Sequence, residues 1–210
     1  MGNLLTRRRE LILPSASSEW DYEWNAQTDQ IFPPSPAVKQ SGGTVAEELA
    51  ERYISLKTAG GSGTRYIQYA IPSLRASTGV LEACFGVVYR ASNAGGWGRV
   101  CFGDENGGVS VIFSAQSANS GKICLWDKSS VGSCTQIGTF KSGDQQKIRI
   151  ELDNGVGRVF LNDVLAADNI DAYAQYYSNS VLIANVQNFN ENNNYHYGFF
   201  LWAKVKSGRL

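Results

Sequence analysis

An all-β sandwich is the fold this sequence predicts, and three observations predict it. Short runs of β-branched and aromatic residues recur along most of the chain, each bounded by Gly, Asn, Ser or Asp, the rhythm of strands and turns. Glycine is frequent, 22 of 210 residues, and charged residues make up only 18%, below the roughly 25% usual in soluble domains. No segment sustains a helical period: a short helix fits residues 3–13, and Val45–Arg52 has room for two turns at most. This length suits one large β domain, and residues 19–210 are read as that domain, with 1–18 an appended leader.

The elements follow in order. Glu19-Trp20-Asp21-Tyr22-Glu23-Trp24 alternates acid and aromatic, so period two places the rings on one face of a strand and the carboxylates on the other. Pro33, Pro34 and Pro36 then impose an extended loop. Strands are expected at Tyr53–Thr58 and Arg65–Ile71, on either side of Gly60-Gly61-Ser62-Gly63. Val80–Arg90 is apolar on both faces, the mark of a central strand. Trp97–Gly103, Val109–Ala115, Lys122–Asp127 and Cys134–Phe140 come next. Lys147–Leu152 alternates charge and apolar side chain, and Asp153-Asn154-Gly155 supplies a hairpin turn into Gly157–Leu161. Val181–Val186, an Asn-rich loop over 185–194 and a last strand Tyr195–Val205 complete the pattern.

Composition also excludes. Net charge is zero, so there is no electrostatic footprint for nucleic acid. No stretch is long and apolar enough for a membrane span. Leu11-Ile12-Leu13 behind Arg7–Arg9 is too short for a secretory signal, which predicts synthesis in the cytoplasm. His196 is the only histidine, leaving little for Ser-His or Cys-His chemistry. Cys84, Cys101, Cys124 and Cys134 show no zinc spacing. A hairpin of 81–90 with 97–103 would set Cys84 almost opposite Cys101, and a turn at 128–132 would do the same for Cys124 and Cys134. Their apolar neighbours favour free, buried thiols over such strained bridges.

The hairpin Gln146-Lys147-Ile148-Arg149-Ile150-Glu151-Leu152-Asp153-Asn154-Gly155 into Gly157-Arg158-Val159-Phe160-Leu161-Asn162-Asp163 resembles a segment of laminin-G-like and concanavalin A-like domains. With the strands before and after it, the resemblance covers about residues 50–205. It implies a concanavalin A-like jelly roll, an antiparallel two-sheet sandwich. The leader, Asn3-Leu4-Leu5-Thr6-Arg7-Arg8-Arg9-Glu10-Leu11 followed by Trp20-Asp21-Tyr22, is similar to the start of laminin-G-like proteins of bacteriophages and prophages of gut bacteria. That likeness implies a virion- or tail-associated module, other virion proteins as partners, and oligomeric attachment through the leader.

Recognition is therefore the expected function, with a cell-surface glycan as partner. Sugar binding needs exposed aromatic faces beside side-chain amides. Trp97 in Gly95-Gly96-Trp97-Gly98 offers a ring in a turn, with Trp126 a weaker candidate at a strand end. The loop over 187–195 offers Asn188, Asn190, Asn192, Asn193, Asn194 and Tyr195. The simpler explanations are core packing for the rings, Trp202 included, and a solvated turn for the amides. No cofactor is expected, calcium being the one metal the residues suggest: Asp104, Glu105 and Asn106, or Asp153 and Asn154, carry the oxygens, although turn chemistry accounts for both groups.

Two rivals remain. One is a purely structural assembly protein. The other is a retaining endoglucanase, because Glu19, Asp21 and Glu23 match the E-x-D-x-E strand of glucanases resembling lichenase and laminarinase. Retaining hydrolysis needs two carboxyl groups about 5–5.5 Å apart. An edge strand with its acids in water explains the same triplet, and the reading is non-catalytic.

Overall fold

A computed structural model describes residues 20–58, 64–72, 78–89, 96–104, 107–115, 120–126, 134–171, 180–189 and 196–208. In chain order these form β1 (Tyr22–Asn25), α1 (Ala26–Asp29), β2 (Val38–Gly42), β3 (Val45–Leu49), β4 (Ile54–Thr58), β5 (Thr64–Pro72), β6 (Gly79–Tyr89) and β7 (Gly96–Asp104). They continue as β8 (Gly107–Ala115), β9 (Ser120–Trp126), β10 (Cys134–Lys141), β11 (Gln145–Asp153), β12 (Val156–Leu161), β13 (Val164–Asp171), β14 (Ser180–Phe189) and β15 (His196–Ser207). Two antiparallel sheets result. The eight-stranded sheet runs β13-β12-β11-β6-β15-β4-β3, with β1 also on β15, and the seven-stranded sheet runs β10-β9-β8-β7-β14-β5-β2. This is the jelly-roll sandwich expected. Among the described residues no helix is long and apolar enough to cross a membrane.

The alternation read in the sequence builds the core. Strand β6 lies between β11 and β15, as its two apolar faces require, and turns Leu81, Ala83, Phe85 and Val87 inward. Ile148, Ile150 and Leu152 do the same from β11, and Val109, Val111 and Phe113 join the same core from the other sheet. Each such side chain removed from water contributes roughly 1.5–3 kcal/mol. Phe85 and Phe140 both meet the Phe113 ring edge to face, at 5.6 and 5.4 Å. The predicted hairpin turn forms where expected: Asp153 pairs with Val156, and Asn154 and Gly155 take positive φ of 48° and 84°. That pair of left-handed residues matches the twist of the strands it joins.

Several expectations need correction. Residues 45–49 are a strand, not a helix, because pairing with β4 outweighs local propensity. The supposed hairpin of 81–90 with 97–103 does not form: β6 and β7 belong to different sheets, so Cys84 and Cys101 are not opposed. Neither is in a disulfide, but Cys84 is only half-buried, and burial pushes its thiol up to about 11. Cys124 is disulfide-bonded, against the expectation of free thiols, and lies across from Gln136. Trp202 is half-buried at a register position between Cys84 and Asn25, and is not a core residue. Strand β14 extends to Phe189, so Asn185 and Asn188 belong to a strand and not to a loop. The leader over 1–18 lies outside the described residues.

Candidate functional site

The outward face of the seven-stranded sheet is polar at its centre. Ile67, Tyr69 and Ile71 of β5 point into the core, so the intervening Tyr66, Gln68 and Ala70 face away from it. The same parity puts Asn185 of β14, Arg99 and Cys101 of β7, and Ser110 and Ile112 of β8 on this outer side. Ala70 and Cys101 accordingly form a buried cluster separate from the main core.

Strand register then assembles a row that no local stretch contains. Gln40 pairs with Gln68, Gln68 with Asn185, Asn185 with Arg99 and Arg99 with Ile112. The amides are joined head to tail: Asn185 Nδ2 donates to Gln68 Oε1 at 3.0 Å, and Gln68 Nε2 donates to Gln40 Oε1 at 2.7 Å. Arg99 Nε donates to Ser110 Oγ at 2.7 Å. The row runs from open Gln40 through half-buried Gln68 to two buried residues, Asn185 at 4% and Arg99 at 7%. One register step away lies a second row, in which Gly42 pairs with Tyr66, Tyr66 with Gln187, Gln187 with Trp97 and Trp97 with Ser114.

Of the residues nominated from sequence, Trp97 lies in β7, two positions before Arg99, beside this array. Its side chain is outside the described residues, as are those of Trp126 and Asn188. Trp126 ends β9, across from Cys134, and Asn188 lies in β14 across from Gly96 and Arg65. Asn190, Asn192, Asn193, Asn194 and Tyr195 fall wholly outside the described residues. Sequence reading missed Gln40, Gln68 and Tyr66, and took Asn185 only as the start of a loop.

Of the acidic triplet, Asp21 and Glu23 are occupied with holding the first strand. Tyr22 and Trp24 are buried while Glu23 is exposed, as the alternation predicts. Asp21 accepts from the Ser207 backbone N–H at 2.6 Å and from its hydroxyl at 2.7 Å. These bonds, the backbone one first, hold its carboxyl below the usual value against an opposing desolvation, with a lesser contribution from Lys206. Glu23 pairs with Lys204 at 2.6 Å, and Glu19 is outside the described residues. Of the calcium candidates, Asp153 accepts from Asn154 Nδ2 at 3.0 Å, an ordinary turn contact. Among the described residues no group of three His, Cys, Asp or Glu converges on one point.

No protein-family model matches the chain, and no curated protein matches it by sequence. Solved structures do match in shape. The carbohydrate recognition domain of Emp47p superposes with a TM-score of 0.60 at 13% identity, covering 92% of this chain and 99% of that one. The shared fold is the two-sheet jelly roll. A potassium-bound Emp46p carbohydrate recognition domain gives 0.56 at 16% identity, covering 91% and 100%, and a metal-free form is also matched. A structure from work on endo-acting O-glycanases that prominent members of the human gut microbiota express to initiate mucin breakdown gives 0.60 at 8% identity, covering 90% and 100%. At such identities the likeness establishes the fold alone.

Proposed function

We propose that the chain is a non-catalytic glycan-recognition module whose binding face is the outer side of the seven-stranded sheet. The observation that carries this is the hydrogen-bonded amide row Asn185–Gln68–Gln40. Each amide fixes its neighbour's orientation, so donors and acceptors are held in place before a ligand arrives. Sugar hydroxyls need both kinds of group. The position of Trp97 one register step away supports the same reading, because an aromatic beside amides is the pairing a sugar ring needs. Structural neighbours that are carbohydrate recognition domains lend further support. Residues 19–210 act as the recognition domain with 1–18 as leader. The leader's resemblance supports a narrower version, attachment to a virion with a host-surface glycan as target.

A glycan array probed with the full chain, with and without calcium, tests this. Binding to at least one glycan is expected. No binding to any glycan in either condition would overturn the reading and leave a purely structural assembly role.

A further inference from the structure

The open end of the amide row carries a feature that neither motif nor composition announces. Strand β2 is the sheet's last strand, and Gly42 on it faces Tyr66. A Cβ placed on Gly42 would meet Tyr66 Cε1 at 2.6 Å and Cδ1 at 3.1 Å. The tyrosine ring therefore occupies the space that a side chain at 42 would fill. Tyr66 stays half-buried, so its ring is not closed over. Gln68, two residues along the same strand, and Gln40, two residues before Gly42, stand beside it and are tied to each other.

The described side chains of this patch are uncharged. Lys39 alternates to the other side of β2 and pairs with Glu47 at 2.6 Å. Arg99 lies two strands away beyond Asn185, its Nε on Ser110. An aromatic ring offers dispersion and C–H contact to a flat apolar surface, and primary amides offer neutral donors and acceptors. With no charged side chain among the described ones of this patch, an acidic sugar would lose hydration there for nothing.

We infer that Tyr66, Gly42, Gln40 and Gln68 form a sugar subsite at the β2–β5 edge, selective for a neutral hexopyranose with one face of C–H groups. The inference rests on the glycan-recognition reading and names its contact point and ligand class. Gly42 serves by leaving the ring room to lie down, and Gln40 and Gln68 take the equatorial hydroxyls at the rim of the sugar.

Affinity electrophoresis of the full chain in gels containing laminarin, galactan or yeast mannan, and in gels containing alginate or polygalacturonate, tests it. Retardation is expected in at least one neutral gel and should persist in about 0.5 M salt, because uncharged contacts are not screened. Tyr66→Ala should weaken retention at least about tenfold, the scale of one stacked ring, and Gly42→Ala and Gln40→Ala at least threefold. Gln40 is exposed, so its substitution leaves the fold intact even if Tyr66→Ala does not. Retention by the acidic polymers alone, falling with salt, would overturn the subsite. So would retention by a neutral polymer that Gly42→Ala and Gln40→Ala leave unchanged, with glycan recognition still standing. No retention in any gel would overturn the subsite, while glycan recognition itself would stand or fall by the glycan array.

Discussion

Phe85 lies between two glycines, one from each sheet. A Cβ on Gly98 would meet its ring at 2.6 Å, and one on Gly198 would meet it at 3.0 Å while pressing harder on Val186. The phenyl ring thus fills the space that both sheets give up, at the contact that holds them together. An added methyl in so tight a place costs roughly 1–3 kcal/mol, so Gly198→Ala should lower stability by that amount in chemical denaturation. Phe85→Ala should cost more, about 3–5 kcal/mol. A second residue-scale prediction concerns acid. The folded state holds the Asp21 carboxyl below its ordinary value, so its stabilisation is present above the unfolded value and fades as pH falls below about 4. Asp21→Ala should therefore be less stable than the parent chain near pH 6, with the gap closing toward pH 2 in urea titrations. The acids of the first strand were legible in the sequence as an alternation, but their partners Ser207 and Lys204 were not. Nothing local links residue 21 to residue 207.

At the scale of elements, strands β2 and β3 end their two sheets, and one cluster ties them together. Glu47 on β3 takes the Lys39 ammonium from β2 at 2.6 Å and the Tyr69 hydroxyl from β5. Burial first, then the bond to Glu47, pushes the Tyr69 hydroxyl above its ordinary range, so it stays a donor. Glu47→Ala would leave that half-buried hydroxyl unsatisfied, at about 1–3 kcal/mol. It should also loosen β2, seen as faster amide exchange at Val38–Gly42 than in the parent chain. Strand β2 reads Val-Lys-Gln-Ser-Gly, too polar and too short to register as a strand, and β13 is similarly weak in pattern. The β11–β12 hairpin was clear, because its turn residues and alternation lie within twenty positions. Links that cross between sheets carry no signature in sequence, and the one from β6 to β7 resembled a hairpin.

The whole molecule explains why the polar face of the seven-stranded sheet was only partly visible beforehand. Trp97 drew attention as an aromatic in a glycine-rich stretch, and it does lie beside the polar array. Gln40, Gln68 and Asn185 are separated by 28 and 117 residues, and only the pairing of β2, β5 and β14 brings them into line. A row of amides made by register has no motif to find. The opposite outer face is differently built: Glu151 pairs with Arg149 and Arg158, Arg149 lies 4.1 Å over the Phe160 ring, and Trp202 is half-buried there. That contrast gives the central claim its sharpest control. Titration of the best array glycan into the parent chain, Gln68→Ala, Trp97→Ala and Trp202→Ala, with melting temperatures alongside, tests the claim most directly. Gln68→Ala and Trp97→Ala should each weaken binding about tenfold or more, and Trp202→Ala should bind as the parent does. Loss with Trp202→Ala and full affinity in the other two would place recognition on the eight-stranded sheet and contradict the account.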